Sequence, residues 1–512
     1  MSQILVSDLS FSYDGSADTV LENVNFNIDT DWKLGLIGRN GKGKTTLLNL
    51  LMGRYEYNGS ITSNTKFDCF PYQTTPEDLE KTAAELCEKW KPMAESWQVV
   101  MQLGLIGMDA ECLYRPFKTL SFGERARVML AALFACENEF LLIDEPTNHL
   151  DREARDLVKE FLKKKKGFIL VSHDRDLLDA VCDHVLVLNR KTVEVQAGNF
   201  TSWWENKEKS DAFALAENEK HQKEIAKLKA SGERTRRWAE KSESTKIGFD
   251  PVKEPDRCAS TRSYIGAKTK KMQARVKSFE KRVDREIEEK EGLLQDIEKV
   301  KDLKLTPLSF HKEVLINANE LSLQYAGSET ELFSGIRFQV KRGDRMVLSG
   351  KNGCGKSSII RAMLEKAGVE GYNTSNLIIK GTLEVPAGLT ISYVSQDTSF
   401  LTGSLQKFCE ERGLDVSLFL AVLRTLDFGR EQFVKNMEDF SEGQKKKVLI
   451  AASLITPAHL YIWDEPLNYI DVFSRMQIEK LILEFKPTML LVEHDVRFRE
   501  KAATQIVELP SL

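Results

Sequence analysis

The sequence predicts an α/β protein made of two domains of one kind, joined by a long antiparallel helical hairpin, and three observations predict it. Short motifs occur twice in the same order, with offsets of 312, 320 and 321 positions. In each copy a glycine-rich loop lies between an apolar run of strand length and a helix-like run. Between the copies lies a non-repeated segment rich in Lys, Glu, Arg and Ala, with apolar residues at three- and four-residue steps.

At 512 residues the chain suits two large domains and a connector. Hydrophobic residues are 42% and charged residues 29%, the balance of a globular chain with ample core. No run of eighteen apolar residues occurs, and Met1–Asp8 lacks the basic and apolar regions of a signal peptide, so a cytoplasmic chain with no membrane span is expected. The eight cysteines form no C-x-x-C pair, which argues against a zinc site or disulfide framework. Net charge is −4, yet residues 227–277 hold 15 Lys+Arg against 6 Asp+Glu, so a +9 segment sits on an acidic body.

The repeat sets the boundaries. Gly38-Arg39-Asn40-Gly41-Lys42-Gly43-Lys44-Thr45 recurs as Gly350-Lys351-Asn352-Gly353-Cys354-Gly355-Lys356-Ser357. Phe140–Pro146 recurs as Leu460–Pro466, and Ser172-His173-Asp174 as Glu493-His494-Asp495. The expected division is therefore 1–202, a linker 203–307 with a basic tip at about 231–268, and 308–512. Apolar runs at 140–143, 168–171, 460–463 and 488–492 read as buried strands of a largely parallel sheet.

Gly-x-x-x-x-Gly-Lys-Thr/Ser between a strand and a helix is a phosphate loop. Its glycines let backbone N–H groups wrap phosphates at a helix N-terminus, and the lysine adds a point charge. ATP-binding positions are therefore Gly38, Asn40, Gly41, Gly43, Lys44, Thr45 and Thr46, and Gly350, Asn352, Gly353, Gly355, Lys356, Ser357 and Ser358. Thr45 and Ser357 would place a hydroxyl on Mg²⁺. Asp144-Glu145 and Asp464-Glu465 end apolar strands, where the aspartate can reach the Mg²⁺ and the glutamate can orient or deprotonate a water.

Leu120-Ser121-Phe122-Gly123-Glu124 and Phe440-Ser441-Glu442-Gly443-Gln444 each place their serine 23 residues before the Walker B aspartate. Here the chain resembles the ATP-binding-cassette family, whose signature is Leu-Ser-Gly-Gly-Gln. Phe122 and Glu442 depart from that pattern at its third position. The resemblance implies that Ser121 with Gly123, and Ser441 with Gly443, face nucleotide held by the opposite domain. It also implies that Tyr13 and Tyr325, each 31 residues before the loop lysine, stack on adenine. Gln73 and Gln396 match the glutamine that senses Mg²⁺ and the γ-phosphate, and His173 and His494 the switch histidine. Two composite sites follow. Lys44, Thr45, Gln73, Asp144, Glu145 and His173 work with Ser441 and Gly443; Lys356, Ser357, Gln396, Asp464, Glu465 and His494 work with Ser121 and Gly123. Both keep their glutamate, so both are expected to hydrolyse ATP.

In the linker, Met272, Val276, Phe279, Val283, Ile287, Leu294 and Ile297 mark one arm of a helical pair, and Phe213, Ile225 and Leu228 a weaker stripe on the other. From Ser231 to Lys268, Gly232, Gly248, Pro251, Pro255 and Gly266 break the pattern. A solvated loop is the plain reading of that tip. Aromatics among basic residues also suit RNA, which makes Trp238, Lys246, Phe249, Lys253, Arg257, Arg262 and Tyr264 candidate ribosome contacts.

Two cassettes, a helical linker and no membrane segment resemble the ABC-F group, which acts on ribosomes. Leu120–Ala126, Tyr264-Ile265-Gly266-Ala267-Lys268 and Trp463–Asp471 are most similar to the Lsa-type antibiotic-resistance members. The resemblance implies a bacterial ribosome as partner. The protein would enter the tRNA exit site, and its tip would approach large-subunit rRNA and peptidyl-tRNA near the peptidyl-transferase centre. It also implies protection against lincosamides, pleuromutilins and streptogramin A, by a monomer whose own cassettes pair. A housekeeping translation factor, an exporter's ATPase subunit and a DNA-repair or chromosome-organising ATPase are the competing readings.

Overall fold

The computed structural model describes residues 3–13, 19–244, 270–285 and 305–510, apart from positions 42, 137–138, 149, 189–192, 272–273, 280, 284, 329, 352, 370 and 373–374. It divides into a unit of Met1–Trp203 with Lys301–Leu512 and a unit of Trp204–Val300.

In the first half, β1 (Gln3–Ser12), β2 (Thr19–Asp29) and β4 (Asn58–Thr62) form an antiparallel sheet in the order β2-β1-β4. A second sheet takes β3 (Lys33–Gly38), β5 (Lys66–Phe70), β6 (Glu139–Asp144), β7 (Phe168–Val171), β8 (His184–Leu188) and β9 (Val193–Ala197) in the order β5-β6-β7-β3-β8-β9. Only the β8–β9 pairing there is antiparallel. Phe168–Val171 is buried at every position, as a strand covered on both faces must be. Helices α1 (Lys44–Leu51), α2 (Ala83–Trp90), α3 (Ser96–Leu105), α4 (Phe122–Leu133), α5 (Arg152–Lys163) and α6 (Arg175–Val181) complete this half.

The second half repeats the plan. β10 (Val314–Tyr325), β11 (Glu331–Lys341) and β13 (Leu377–Glu384) pair in the order β11-β10-β13. β12 (Arg345–Ser349), β14 (Ile391–Val394), β15 (Leu460–Asp464), β16 (Met489–Val492) and β17 (Gln505–Glu508) form an all-parallel sheet in the order β14-β15-β16-β12-β17. Trp463 is wholly buried in β15, and its indole N–H is satisfied by Ser453 Oγ at 2.9 Å. In both halves one strand, β7 or β16, separates the strand that leads into the phosphate loop from the one that ends in the Asp-Glu pair. The loop and the carboxylates therefore meet at the carboxyl edge of the sheet.

Helix α7 (Phe200–Ser244) opens the linker, 45 residues that rise about 68 Å at 1.5 Å each. It runs past the expected break at Ser231, because Glu233, Arg234, Ala239 and Glu240 are helix formers. Gly232 is tolerated there and faces the second arm, where a Cβ on it would make ordinary contact with Val283 Cγ1 at 3.8 Å. The expected stripe needs one correction. Phe213 is 66% exposed, and the less exposed residues include Ala214, Asn218, His221, Ile225, Leu228 and Gly232, at alternating four- and three-residue steps, with Asp211, Glu217 and Glu224 beside them. On the second arm Val276 and Val283 are buried as the pattern requires. Met272, Ile287, Leu294 and Ile297 lie outside the described residues. Among the described residues no helix is long and apolar enough to cross a membrane.

In the second half, α8 (Lys356–Lys366) follows the phosphate loop, and α9 (Leu405–Arg412), α10 (Val416–Thr425), α11 (Glu442–Ile455), α12 (Val472–Phe485) and α13 (Val496–Ala502) cover the sheet.

Candidate active sites

Each phosphate loop turns into its helix through a glycine in the left-handed region, Gly43 at φ 94° and Gly355 at φ 97°. Lys44 and Lys356 are buried and fold back onto their loops. Lys44 Nζ donates to Gly38 O at 2.7 Å and Asn40 Oδ1 at 3.2 Å; Lys356 Nζ donates to Gly350 O at 2.9 Å and Lys351 O at 2.8 Å. Thr45 Oγ1 donates to Asp144 Oδ2 at 2.9 Å, so the two groups expected to share a cation already face each other. Tyr13 and Tyr325 are each 43% exposed beside their loops, with hydroxyls 2.7 Å from Thr46 Oγ1 and 3.0 Å from Ser358 Oγ.

Glu145 and Glu465 share a strained backbone, with φ 51° and 47°, and their N–H groups donate to Val171 O and Val492 O at 2.9 Å. Their carboxylates differ. Glu145 Oε1 lies 3.3 Å from His173 Nε2, and Glu145 Oε2 accepts from the His173 backbone N–H at 3.4 Å. Glu465 Oε2 accepts from Gln396 Nε2 at 2.8 Å and Asn468 Nδ2 at 2.7 Å, and its Oε1 is 3.6 Å from His494 Nε2. Burial, then the neighbouring Asp144 charge, pushes Glu145 up to about 8. Burial acts on Glu465 too, but His494, Lys356 and Lys446 outweigh it and hold the group below the usual range. His494 weighs most, through its contact and its charge, and Lys446 adds a smaller share that the first half lacks: it is buried, its Nζ donates to Ser395 O at 2.8 Å, and Ala126 stands at the matching place. Burial raises Asp464 to about 6 and also raises Asp144. Burial, with Lys44 and Arg475 nearby, drives His173 well down, keeping the imidazole neutral.

The first site opens into a cavity of about 870 Å³ that includes Asn40, Gly41, Lys44, Thr45, Asp144, Glu145 and His173. From the other half it includes Ser441, Gly443 and Tyr469, so the structure brings the first composite set together apart from Gln73. Gln73 is exposed and absent from that lining. In the extended turn after β5 its neighbour Tyr72 turns inward, stacking on Trp90 at 4.8 Å with its hydroxyl on Asp68, which leaves Gln73 outside. Tyr13 is outside the lining as well.

The second cavity, about 280 Å³, gathers Tyr325, Gly353, Gly355, Lys356, Ser357, Ser358, Gln396, Glu465 and His494. Asp464 lies behind Ser357 and Glu465 rather than in the wall. The opposite half contributes Leu150 and Arg155 there, and Ser121 and Gly123 are not in the wall. Leu150, which lines the cavity, is also the neighbour of Gly123: its Cδ2 would sit 3.3 Å from a side chain placed there. Asn352 lies outside the described residues, as do Lys246, Phe249, Lys253, Arg257, Arg262, Tyr264 and the side chain of Trp238.

Both signature serines cap a helix. Ser121 accepts from Glu124 N and Ser441 from Gln444 N, each in a reciprocal capping box at the N-terminus of α4 or α11. The Phe122 departure is 68% exposed and lies under the Arg125 guanidinium at 5.5 Å, whereas Glu442 accepts a hydrogen bond from Thr398.

Contacts across the two halves include several residues that motif reading missed. Asn40 Nδ2 donates to Tyr469 O at 2.9 Å, Arg39 pairs with Asp427 at 3.1 Å, Lys351 with Glu153 at 2.9 Å, and buried Arg175 with Glu479. Asn148 and Asn468, 320 positions apart in Pro-Thr-Asn-His-Leu-Asp and Pro-Leu-Asn-Tyr-Ile-Asp, carried the signal: extending the repeat past the Asp-Glu pair finds them.

The residues fit a magnesium nucleotide. Asp464 Oδ1 and Glu145 Oε1 are buried without a hydrogen-bond partner, and each Walker aspartate faces a loop hydroxyl. One carboxylate and one hydroxyl leave the remaining positions of an octahedral cation to phosphate and water.

A sequence model of the family described as ABC transporter matches residues 21–148 and 333–468, just over half of the chain. The chain is 27% identical to the ribosome protection protein VmlR of Bacillus subtilis (strain 168), over 97% of this chain and 85% of that one. It is 26% identical to the erythromycin resistance ATP-binding protein MsrA of Staphylococcus epidermidis, over 93% and 92%. Among solved structures, the archaeal ribosome recycling factor aABCE1, crystallised with stalk protein aP1, superposes with a TM-score of 0.60 at 19% identity, covering 99% of this chain and 88% of that one. That last likeness concerns the fold.

Proposed function

The chain belongs to the ATP-binding-cassette family, as a tandem-cassette ATPase of the ABC-F kind, and we propose that it binds the bacterial ribosome and protects it from antibiotics acting at the peptidyl-transferase centre. The observation that carries this reading is the likeness to VmlR along 97% of the chain, supported by the likeness to MsrA. The protein would enter the tRNA exit site as a monomer and bring its linker, with the +9 segment 227–277, toward rRNA and peptidyl-tRNA. The expected drugs are lincosamides, pleuromutilins and streptogramin A.

Hydrolysis would run at both sites. Lys44 and Lys356 would leave their loop carbonyls for the β- and γ-phosphates, while loop N–H groups wrap them. Thr45 with Asp144, and Ser357 with Asp464, would hold Mg²⁺, which when bound neutralises charge on the phosphate oxygens. Glu465, and Glu145 in its ionised form, would orient a water and accept its proton as the water oxygen bonds the γ-phosphorus and the bond to ADP breaks. His173 and His494 lie beside those carboxylates and would position the same water. Ser441 and Gly443 would close the first site with a helix N-terminus, and Ser121 and Gly123 would do so at the second once they are brought to its cavity.

Cosedimentation tests the partner. A chain carrying both Glu145→Gln and Glu465→Gln should stay on ribosomes in ATP and should not pellet with membranes; absence from the ribosome fraction overturns the reading. Drug protection is separate. Removing 231–268 should abolish it while ribosome-free ATP turnover persists, and unchanged susceptibility would favour a housekeeping translation factor.

A further inference from the structure

The geometry points to Asn468 as a positioning residue for Glu465, one that fixes which carboxylate oxygen is free to take the proton from water. The inference rests on the reading of Glu465 as the base for hydrolysis. Glu465 Oε2 accepts two amide hydrogen bonds, from Gln396 at 2.8 Å and from Asn468 at 2.7 Å. An oxygen engaged by two N–H donors is a poor proton acceptor, because its lone pairs already point at hydrogens. Glu465 Oε1, on the His494 side at 3.6 Å, is left as the basic oxygen, and it belongs to a group that lines the second cavity.

The clamp sits on a strained backbone. With φ at 47°, Glu465 holds a strained left-handed backbone that its surroundings must maintain, and its carboxylate is held by the two amides beside it. Asn468 is suited to that task. It lies three residues on, and the chain between is buried: Leu467 is fully buried and its N–H donates to Glu493 at 3.3 Å. The next residue, Tyr469, has φ 63°, and its carbonyl is held by Asn40 from the other half. The donor is thus mounted on a loop fixed at both ends. Glu145 has no comparable clamp among the described residues, since its Oε2 accepts from the His173 backbone and Gln73 is outside the cavity. Asn468 and its twin Asn148 should therefore differ in effect although they occupy matching positions.

The test uses the full chain and steady-state ATP turnover, with affinity for a fluorescent non-hydrolysable ATP analogue measured beside it. Asn468→Ala should lower kcat about tenfold or more, leaving KM and analogue affinity within about twofold. Asn468→Asp is the decisive variant. It keeps the size of the side chain but replaces the donor by a carboxylate oxygen facing Glu465, so lost positioning and repulsion together predict a fall at least as deep as that of Asn468→Ala, and native turnover would leave the donor no role. Asn148→Ala should lower kcat less than Asn468→Ala. Native kcat in Asn468→Asp, or a fall matched by lost analogue affinity, overturns the inference. Glu465→Gln separates it from its premise. If that change leaves turnover intact, the hydrolytic reading of Glu465 fails; if it lowers turnover and Asn468→Asp does not, only the positioning role fails.

Discussion

Asn40, in the phosphate loop of one cassette, donates its side-chain amide to the backbone carbonyl of Tyr469 in the other at 2.9 Å. The same carbonyl is pressed against the signature of its own cassette: a side chain added to Gly443 would place Cβ 2.4 Å from Tyr469 O. Backbone cannot yield as a flexible side chain can, so Gly443→Ala should displace Tyr469 and lower ATP turnover by about tenfold or more. Gly123→Ala meets only Leu150 Cδ2, at 3.3 Å, and should cost clearly less. Turnover assays on the two variants decide it, and equal losses would remove the role given to the Tyr469 carbonyl.

Lys447 and Asp471 form a buried ion pair at 2.8 Å, with side chains 3% and 0% exposed. Burial opposes the carboxylate, but Lys447 and the N–H of Ser474 hold Asp471 well below its usual range. A depressed carboxyl contributes stability above its unfolded value and loses it as pH falls through the folded one. Asp471→Asn should thus cost about 3–5 kcal/mol at pH 7, since it strands a buried ammonium. At about 2–4 °C per kcal/mol, the melting temperature should fall by roughly 10 °C. The gap from the parent should close only at pH below about 4. Calorimetry across pH measures this, and a gap independent of pH would count against the pair.

What the sequence made legible were features whose chemistry demands fixed local spacing. Phosphate loops, Asp-Glu pairs and signatures each act through neighbouring residues, so their repetition exposed both the fold and most of the first composite site. The Gln73 and Gln396 difference was hidden, because Tyr72 stacking on Trp90 at 4.8 Å is a tertiary event. Lys446 was hidden by its company: in Gln444-Lys445-Lys446-Lys447 three basic residues in a row read as a solvated face, yet Lys446 and Lys447 are each 2% exposed. In the linker, Phe213 drew the stripe toward itself by size, whereas a seam with Ala214, Asn218 and Gly232 shows only in its spacing.

Arg175 and Glu479 lie 304 residues apart and form a buried pair across the cassettes, with side chains 4% and 7% exposed. Glu479 also binds Lys501 at 2.7 Å. The two truncations are therefore unequal. Glu479→Ala leaves Arg175 charged and buried with no carboxylate, at a cost of about 3–5 kcal/mol. Arg175→Ala leaves Glu479 still paired with Lys501 and should cost less. Melting temperatures should follow that order, and the reverse order would mean that Lys501 does not satisfy Glu479 once Arg175 is gone.

Thr45 donates to Asp144 Oδ2 at 2.9 Å, the geometry expected of two groups that would close on one cation from adjacent positions. Chelating divalent ions should lower ATP turnover more than about a hundredfold, and added Mg²⁺ should restore it. Thr45→Val has nearly the same shape without the hydroxyl, so it should raise the free Mg²⁺ needed for half-maximal turnover by about tenfold, a change of about 1.4 kcal/mol. Thr45→Ser keeps the hydroxyl and should titrate close to the parent. Turnover of each variant against free Mg²⁺ measures the effect. Because Ser357 can hold the cation at the second site, the Thr45→Val curve should be biphasic, with one arm at the parent's midpoint and one displaced; a single undisplaced curve would show that Thr45 is no ligand. Ser357→Ala should displace the other arm, and combining the two changes should leave no arm at the original midpoint.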